Sequence, residues 1–121
     1  MNSNTRNIRI TIAALLLVFA VTGCAAMFRD PAKEMQEYRQ SWVDNHPDWS
    51  GKVRRQVLAG KISIGMTEEQ VRASWGTPYD INRSVGSWGE HEQWVYVTFE
   101  GRWRSYQYLY FENGRLTSWQ D

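Results

Sequence analysis

The sequence predicts an α+β fold in which N-terminal helices pack on one face of a three- to four-stranded antiparallel sheet, a helix-helix-β-β-β core. Two observations predict it. Up to Pro78 the chain holds three helical segments, each with its own start signal. After Pro78 the apolar period changes to two, and the hairpin dipeptide Asn113-Gly114 appears between two strand-like runs.

The first helix is expected to start at Asp30-Pro31, with aspartate as N-cap and proline at the first helical position. Met35, Tyr38 and Trp42 then fall at i, i+3 and i+7, one narrow apolar stripe running to about Val43, and Asn45-His46-Pro47-Asp48 breaks it. Ser50 can cap a second helix through Ala59, with Val53, Val57 and Leu58 on one face and Gly60 as its stop. Lys52, Arg54 and Arg55 make that helix basic, which fits a solvated face or, more sharply, a membrane or partner contact. Residues 62–66 form a short link. Thr67-Glu68-Glu69-Gln70 is a capping box, its two glutamates lie at the positive end of the helix dipole, and Val71 and Trp75 form the apolar face of a third helix ending at Gly76.

Strands are expected from Tyr79 to Val85, His91 to Phe99, Ser105 to Glu112 and Arg115 to Gln120. Gly86-Ser87-Trp88-Gly89, Glu100-Gly101-Arg102-Trp103 and Asn113-Gly114 are the connections, the last a type I′ turn needing positive φ at both residues.

Ahead of these elements, Arg6 and Arg9 precede an apolar run of 12 residues, Ile10 to Val21, too short for a span that needs about 20 and suited to a signal peptide. Val21-Thr22-Gly23-Cys24 follows with the aliphatic-small-small-Cys order of a lipobox, in which the Cys24 thiol receives a fatty-acylated diacylglyceryl group. The expected organisation is a lipoprotein signal peptide at 1–23, a lipid-anchored tether at 24–29, a helical extension at 30–60 and an α+β domain at 61–121. Cys24 is the only cysteine, so the mature chain has neither a disulfide nor a thiol nucleophile. Cleavage would leave twelve basic against thirteen acidic residues, a balance without the field that nucleic acid requires. Ala25, rather than aspartate, follows the anchor; by resemblance to Gram-negative lipoproteins, in which an aspartate there retains the protein in the inner membrane, this implies the periplasmic face of the outer membrane, assuming a Gram-negative host.

Reactive groups are few. His91 lies between Glu90 and Glu92, but alternate strand residues point to opposite faces, so this spacing builds no site. His46 reads as a turn residue. No metal-ligand spacing, phosphate-binding loop, nucleophile elbow or cofactor motif is evident, and no small-molecule substrate is suggested. If Leu109 and Phe111 face the helices, Tyr106, Tyr108 and Tyr110 share the opposite face, with Trp119 beside them. Such a flat aromatic surface suits a protein partner, although cross-strand pairing or cover by residues 30–60 would also account for it.

Ile64-Gly65-Met66-Thr67, Gln70-Val71 and Trp75-Gly76-Thr77-Pro78, followed by Trp94-x-Tyr96 and by Leu109-x-Phe111 with Gly114-x-Leu116, resemble the signature of the SmpA/OmlA (BamE-like) family of small outer-membrane lipoproteins. The resemblance covers residues 62–120. It implies two helices on a three-stranded antiparallel sheet, a fold also resembling the repeats of β-lactamase-inhibitor proteins, and a non-enzymatic role in envelope or outer-membrane protein assembly. A periplasmic ligand-sensing or inhibitor-like binding module is the alternative. The family's best-known member, a subunit of the β-barrel assembly machinery, carries a distinctive tract between anchor and domain. Here that place holds two candidate helices and His46-Pro47-Asp48-Trp49-Ser50, so the chain resembles a relative of that subunit.

Overall fold

The structure, a computed structural model, describes residues 28–121. Helices α1 (Pro31–Asn45), α2 (Gly51–Leu58) and α3 (Glu68–Trp75) precede strands β1 (Asp80–Gly86), β2 (Gly89–Glu100), β3 (Trp103–Glu112) and β4 (Arg115–Gln120). The strands form one antiparallel meander in the order β1-β2-β3-β4. This is the predicted α+β class, with helices first and sheet second. The expected signal peptide and the expected lipidation site, Cys24, lie outside the described residues.

Local chemistry sets the helix ends. Asp30 Oδ1 accepts from Ala32 N–H at 3.0 Å, and the Ser50 hydroxyl accepts from Val53 N–H at 3.3 Å. At Thr67 both halves of the capping box form: Gln70 N–H donates to the Thr67 hydroxyl at 3.2 Å, and Thr67 N–H donates to Gln70 Oε1 at 3.1 Å. The β3–β4 turn has φ of 48° at Asn113 and 78° at Gly114, the positive values a type I′ turn requires. The other two hairpins are tighter than the sequence suggests, with Gly86 opposite Gly89 and Glu100 opposite Trp103, so only two residues lie between each pair.

Two apolar clusters meet on α3. Val71 faces the sheet, where Trp94, Tyr96, Leu109, Phe111 and Leu116 join it with Met66, and Trp75 packs against the group. Ala73, on the other side of α3, completes a second cluster with Val43, Trp49 and Val57, flanked by Trp42, Val53 and Leu58. Met35–Asp121 is one compact unit, in which α3 contributes to both clusters.

A helix leaves its last carbonyls without intrahelical partners, and this one borrows partners from distant elements. Tyr38 OH donates to Arg72 O at 3.1 Å and Arg39 Nε to Ser74 O at 2.9 Å. Just beyond the helix, Tyr96 OH donates to Gly76 O at 2.8 Å. The fully buried Ser74 hydroxyl donates to Lys61 O at 2.7 Å. The outer edge of β4 is also occupied, since Gly65 N–H donates to Leu116 O and Leu116 N–H to Met66 O, each at 2.8 Å.

Two substitutions test this packing. Val71→Ala removes buried volume between α3 and the sheet and should cost about 1–3 kcal/mol. Gly114→Val forces a β-branched side chain into positive φ and should destabilise the β3–β4 turn. Thermal unfolding of the chain beginning at residue 24 should show a lower midpoint for both, by several degrees for each kcal/mol lost. An unchanged midpoint in both would contradict the assigned packing.

Candidate functional site

Strand register decides which side chains share a face, because directly paired residues project the same way. Trp94 pairs with Leu109 on the helix side. The opposite, open face therefore carries Asp80, Asn82 and Ser84 from β1, His91, Gln93, Val95, Val97 and Phe99 from β2, and Arg104, Tyr106, Tyr108, Tyr110 and Glu112 from β3. No described helix covers it.

The three tyrosines do share this face, but they do different things. Tyr106 and Tyr108 stack with centroids 6.5 Å apart and planes at 19°. They stand opposite Val97 and Val95, and Val95, flanked by Asp80 of β1 and Tyr108 of β3, is only 8% exposed. Tyr110 belongs instead to a polar ladder crossing all four strands: Asn82 Nδ2 donates to Gln93 Oε1 at 3.3 Å, Gln93 Nε2 to Tyr110 OH at 3.2 Å, and Tyr110 OH to Gln120 Oε1 at 3.3 Å.

Trp119 is not beside them. A register shift between Leu116 and Ser118 pairs Trp119 with Leu109, placing it on the helix side. The irregularity at Thr117, between Leu116 and Ser118, changes the alternation that a regular strand would have kept.

The apolar half of the open face continues into a projecting arm. β1 pairs with β2 only as far as Val95, and β4 pairs with β3 only as far as Tyr108. Beyond these points β2 and β3 continue as a two-stranded ribbon tipped by Phe99 and Trp103, which are 68% and 81% exposed. The Arg104 guanidinium lies over the Phe99 ring, 5.6 Å from its centroid and within cation–π range.

On the helix side, Glu68, Glu90 and Glu92 gather with carboxylate oxygens within 4.8 Å of one another. Sequence reasoning missed this group, because Glu68 comes from α3 and only the Glu90-x-Glu92 spacing was visible. Their oxygens already have protein partners: Glu90 meets Arg83 at 2.7 Å, while Glu92 accepts from Trp94 Nε1 at 2.7 Å and lies 3.6 Å from Arg83. Burial, then the charge of Glu92 and a hydrogen bond to it, raise the Glu68 carboxyl above its ordinary range, Glu90 adds to the rise, and Arg83 opposes it. His91 stands on the other face, opposite Ser84 and Glu112, as strand alternation requires.

His46 is more than a turn residue. Its ring stacks on Trp49 at 4.3 Å and on Trp42 at 5.4 Å, Nδ1 lies 2.8 Å from Trp42 O, and Nε2 lies 3.3 Å from Glu69. The spacing of Trp42 and His46 at i and i+4 was the available signal.

Fold and site together define a small α+β domain that leaves one amphipathic sheet face uncovered. Comparison with protein-family models, curated proteins and solved structures finds no match to this chain.

The raised Glu68 titration fixes the sign of a pH effect. Ionised Glu68 is less favourable in the folded than in the unfolded chain, so its destabilisation is present above the raised value. It disappears as pH falls through that value to the ordinary 4.5. Glu68→Gln should therefore raise the melting temperature at neutral pH, with the gain vanishing below about pH 4.5. Melting curves of both proteins across that range check this, and a gain independent of pH would contradict the assignment.

Proposed function

We propose that this chain is a lipoprotein held at the periplasmic face of the outer membrane by Cys24, with a domain that serves as a non-enzymatic protein-interaction module in envelope or outer-membrane protein assembly. The anchor reading is supported by the lipobox at residues 21–24. Kinship with the SmpA/OmlA family is supported by the order and spacing of its motif residues. Thr67, Val71, Trp94, Leu109, Phe111 and Leu116 do structural work here, as cap and core, so the motif speaks to fold rather than activity.

The observation that carries the interaction reading is the apolar half of the open face. Tyr106, Tyr108, Val97 and Phe99 form a continuous side of the β2–β3 arm, with Tyr106 41% and Phe99 68% exposed. Stacked tyrosines bury much area at little rotamer cost, which protein interfaces favour. Tyr110, drawn into the polar ladder, borders this patch, and Trp119 is no longer part of it.

Two experiments test the two halves of the proposal. Cys24→Ser should abolish incorporation of an alkyne fatty acid and release the protein from membranes, since a hydroxyl does not replace the thiol in acyl-lipid transfer. Equal labelling of both proteins would contradict the anchor. Tyr108→Ser should keep a native circular dichroism spectrum, since cross-strand pairing is worth only about 0.2–1 kcal/mol. It should weaken crosslinking to the envelope partner by roughly 30-fold, the loss expected for about 2 kcal/mol at a central aromatic. A folded variant with undiminished crosslinking would place the contact elsewhere.

A further inference from the structure

The two outer edges of the sheet end differently. Gly65 and Met66 close the edge of β4, whereas among the described residues nothing pairs with the outer edge of β1. In an antiparallel pair, the backbone groups of successive residues point alternately toward the partner strand and away from it. Three observations fix the alternation in β1. The two-residue turn between Gly86 and Gly89 closes on a hydrogen-bonded pair, so Gly86, Ser84, Asn82 and Asp80 turn their backbone groups to β2. Glu90 O accepts from Asn113 N–H on the β3 side at 2.8 Å, so the next residue, His91, faces its partner Ser84. Ile81 N–H donates to Asp80 Oδ1 at 2.9 Å, away from β2. Ile81, Arg83 and Val85 therefore turn their backbone groups outward, and those of Arg83 and Val85 meet no described residue. The strand contains no proline, its register with β2 is unbroken from Asp80 to Gly86, and the Arg83 side chain is held by Glu90 and Glu92. Little blunts this edge against a further strand.

We propose that the outer edge of β1 is a strand-addition site for an extended segment of a partner protein, apolar opposite Ile81, basic opposite Val85 and polar at the positions between. Main-chain hydrogen bonds at Arg83 and Val85 supply affinity, and alternate side chains supply selection. The side-chain pattern of β1 sets the chemistry. Ile81 and Val85, paired with Trp94 and Glu90 on the helix side, are 40% and 68% exposed, while Asn82 and Ser84 lie on the open side. An added strand thus meets apolar groups on one face and small polar groups on the other. Charge selects its basic residue. Glu68, Glu90 and Glu92 gather with oxygens within 4.8 Å of one another against the single guanidinium of Arg83. A long cationic side chain laid over Val85 points along its row to Glu90, and an acidic one is repelled. A second copy of this chain fits less well. Two β1 strands related by a two-fold through Arg83 set like charges directly opposite, and neighbouring registers still bring two acid-rich margins together. This edge is separate from the aromatic patch and from the lipid anchor, so it stands or falls without them.

The test uses the chain from residue 24 with Cys24→Ala, which retains every buried residue among those described, Val43 to Leu116. Isotope-labelled protein is titrated at millimolar concentration with the end-blocked peptide Ser-Lys-Thr-Val-Thr-Val-Ser and, separately, with its reversed sequence, so that antiparallel and parallel addition are both offered. Saturable shifts of the Arg83 and Val85 backbone N–H, with slowed hydrogen exchange at both, are expected with at least one of them. Methylating the backbone nitrogen of the central valine keeps every peptide side chain but removes an edge hydrogen bond, and should weaken binding about tenfold or more. Exchanging the lysine for glutamate should weaken it in the same direction, and Glu90→Gln should narrow that preference. Absence of shifts at Arg83 and Val85 with both peptides, undiminished binding of the methylated or glutamate peptide, or an unchanged preference in folded Glu90→Gln would each overturn the proposal. So would a dimer of the peptide-free protein that protects the same two amides, because a second copy would then hold the edge.

Discussion

Everything in this domain hangs on how α3 is buried. Eight residues are too few for a helix to persist alone, since nucleation is costly and isolated helices shorter than about 12–15 residues are marginal. Its stability comes from being held on two sides at once. Val71 is enclosed by the sheet, Ala73 by α1 and α2, and Ser74 between them, all with no exposed surface. Side chains from Tyr38, Arg39 and Tyr96 then satisfy carbonyls at its C-terminal end. Those three donors come from α1 and β2, so the same bonds that finish the helix also fix where helices and sheet lie.

That arrangement has a functional consequence. With the helices committed to one face, the other face keeps its side chains in water and divides by chemistry. One half, toward the β2–β3 arm, is aromatic and aliphatic; the other, toward the β1–β2 and β3–β4 turns, is a ladder of amides and hydroxyls. The turn end is itself tied together, because Asn113 Oδ1 accepts from Glu90 N–H at 3.0 Å and Glu90 O accepts from Asn113 N–H at 2.8 Å. On the helix side, Arg83 balances Glu90 and Glu92 beneath the raised carboxyl of Glu68, while the open face carries Asp80, Arg104 and Glu112.

Much of the fold was legible because its signals are local. Thr67 through Gln70 announced a helix start that both capping bonds realise, and Asn113-Gly114 announced a turn with the required φ values. Face assignment in β3 followed from alternation, so Leu109 and Phe111 were separated correctly from Tyr106, Tyr108 and Tyr110. Failures came where a single residue changes the count or where contact is long-range. The irregularity at Thr117 moved Trp119 to the other face, and no periodicity reveals it. The meeting of Glu68 with Glu90 and Glu92 needs a helix and a strand to be placed together. The lodging of Trp88 over Gly86 needs the two-residue length of its turn.

We propose that the open face, bare in the isolated chain, is covered by a partner in the envelope. Hydroxyl-radical footprinting read by mass spectrometry tests it directly, on the purified chain and on intact native membranes. In the purified chain Tyr106 and Phe99 should oxidise readily while Trp94 and Phe111, both buried, stay protected. In native membranes Tyr106 and Tyr108 should lose reactivity as a partner covers them. Tyrosines already protected in the purified chain, or equally reactive in both settings, would contradict the account.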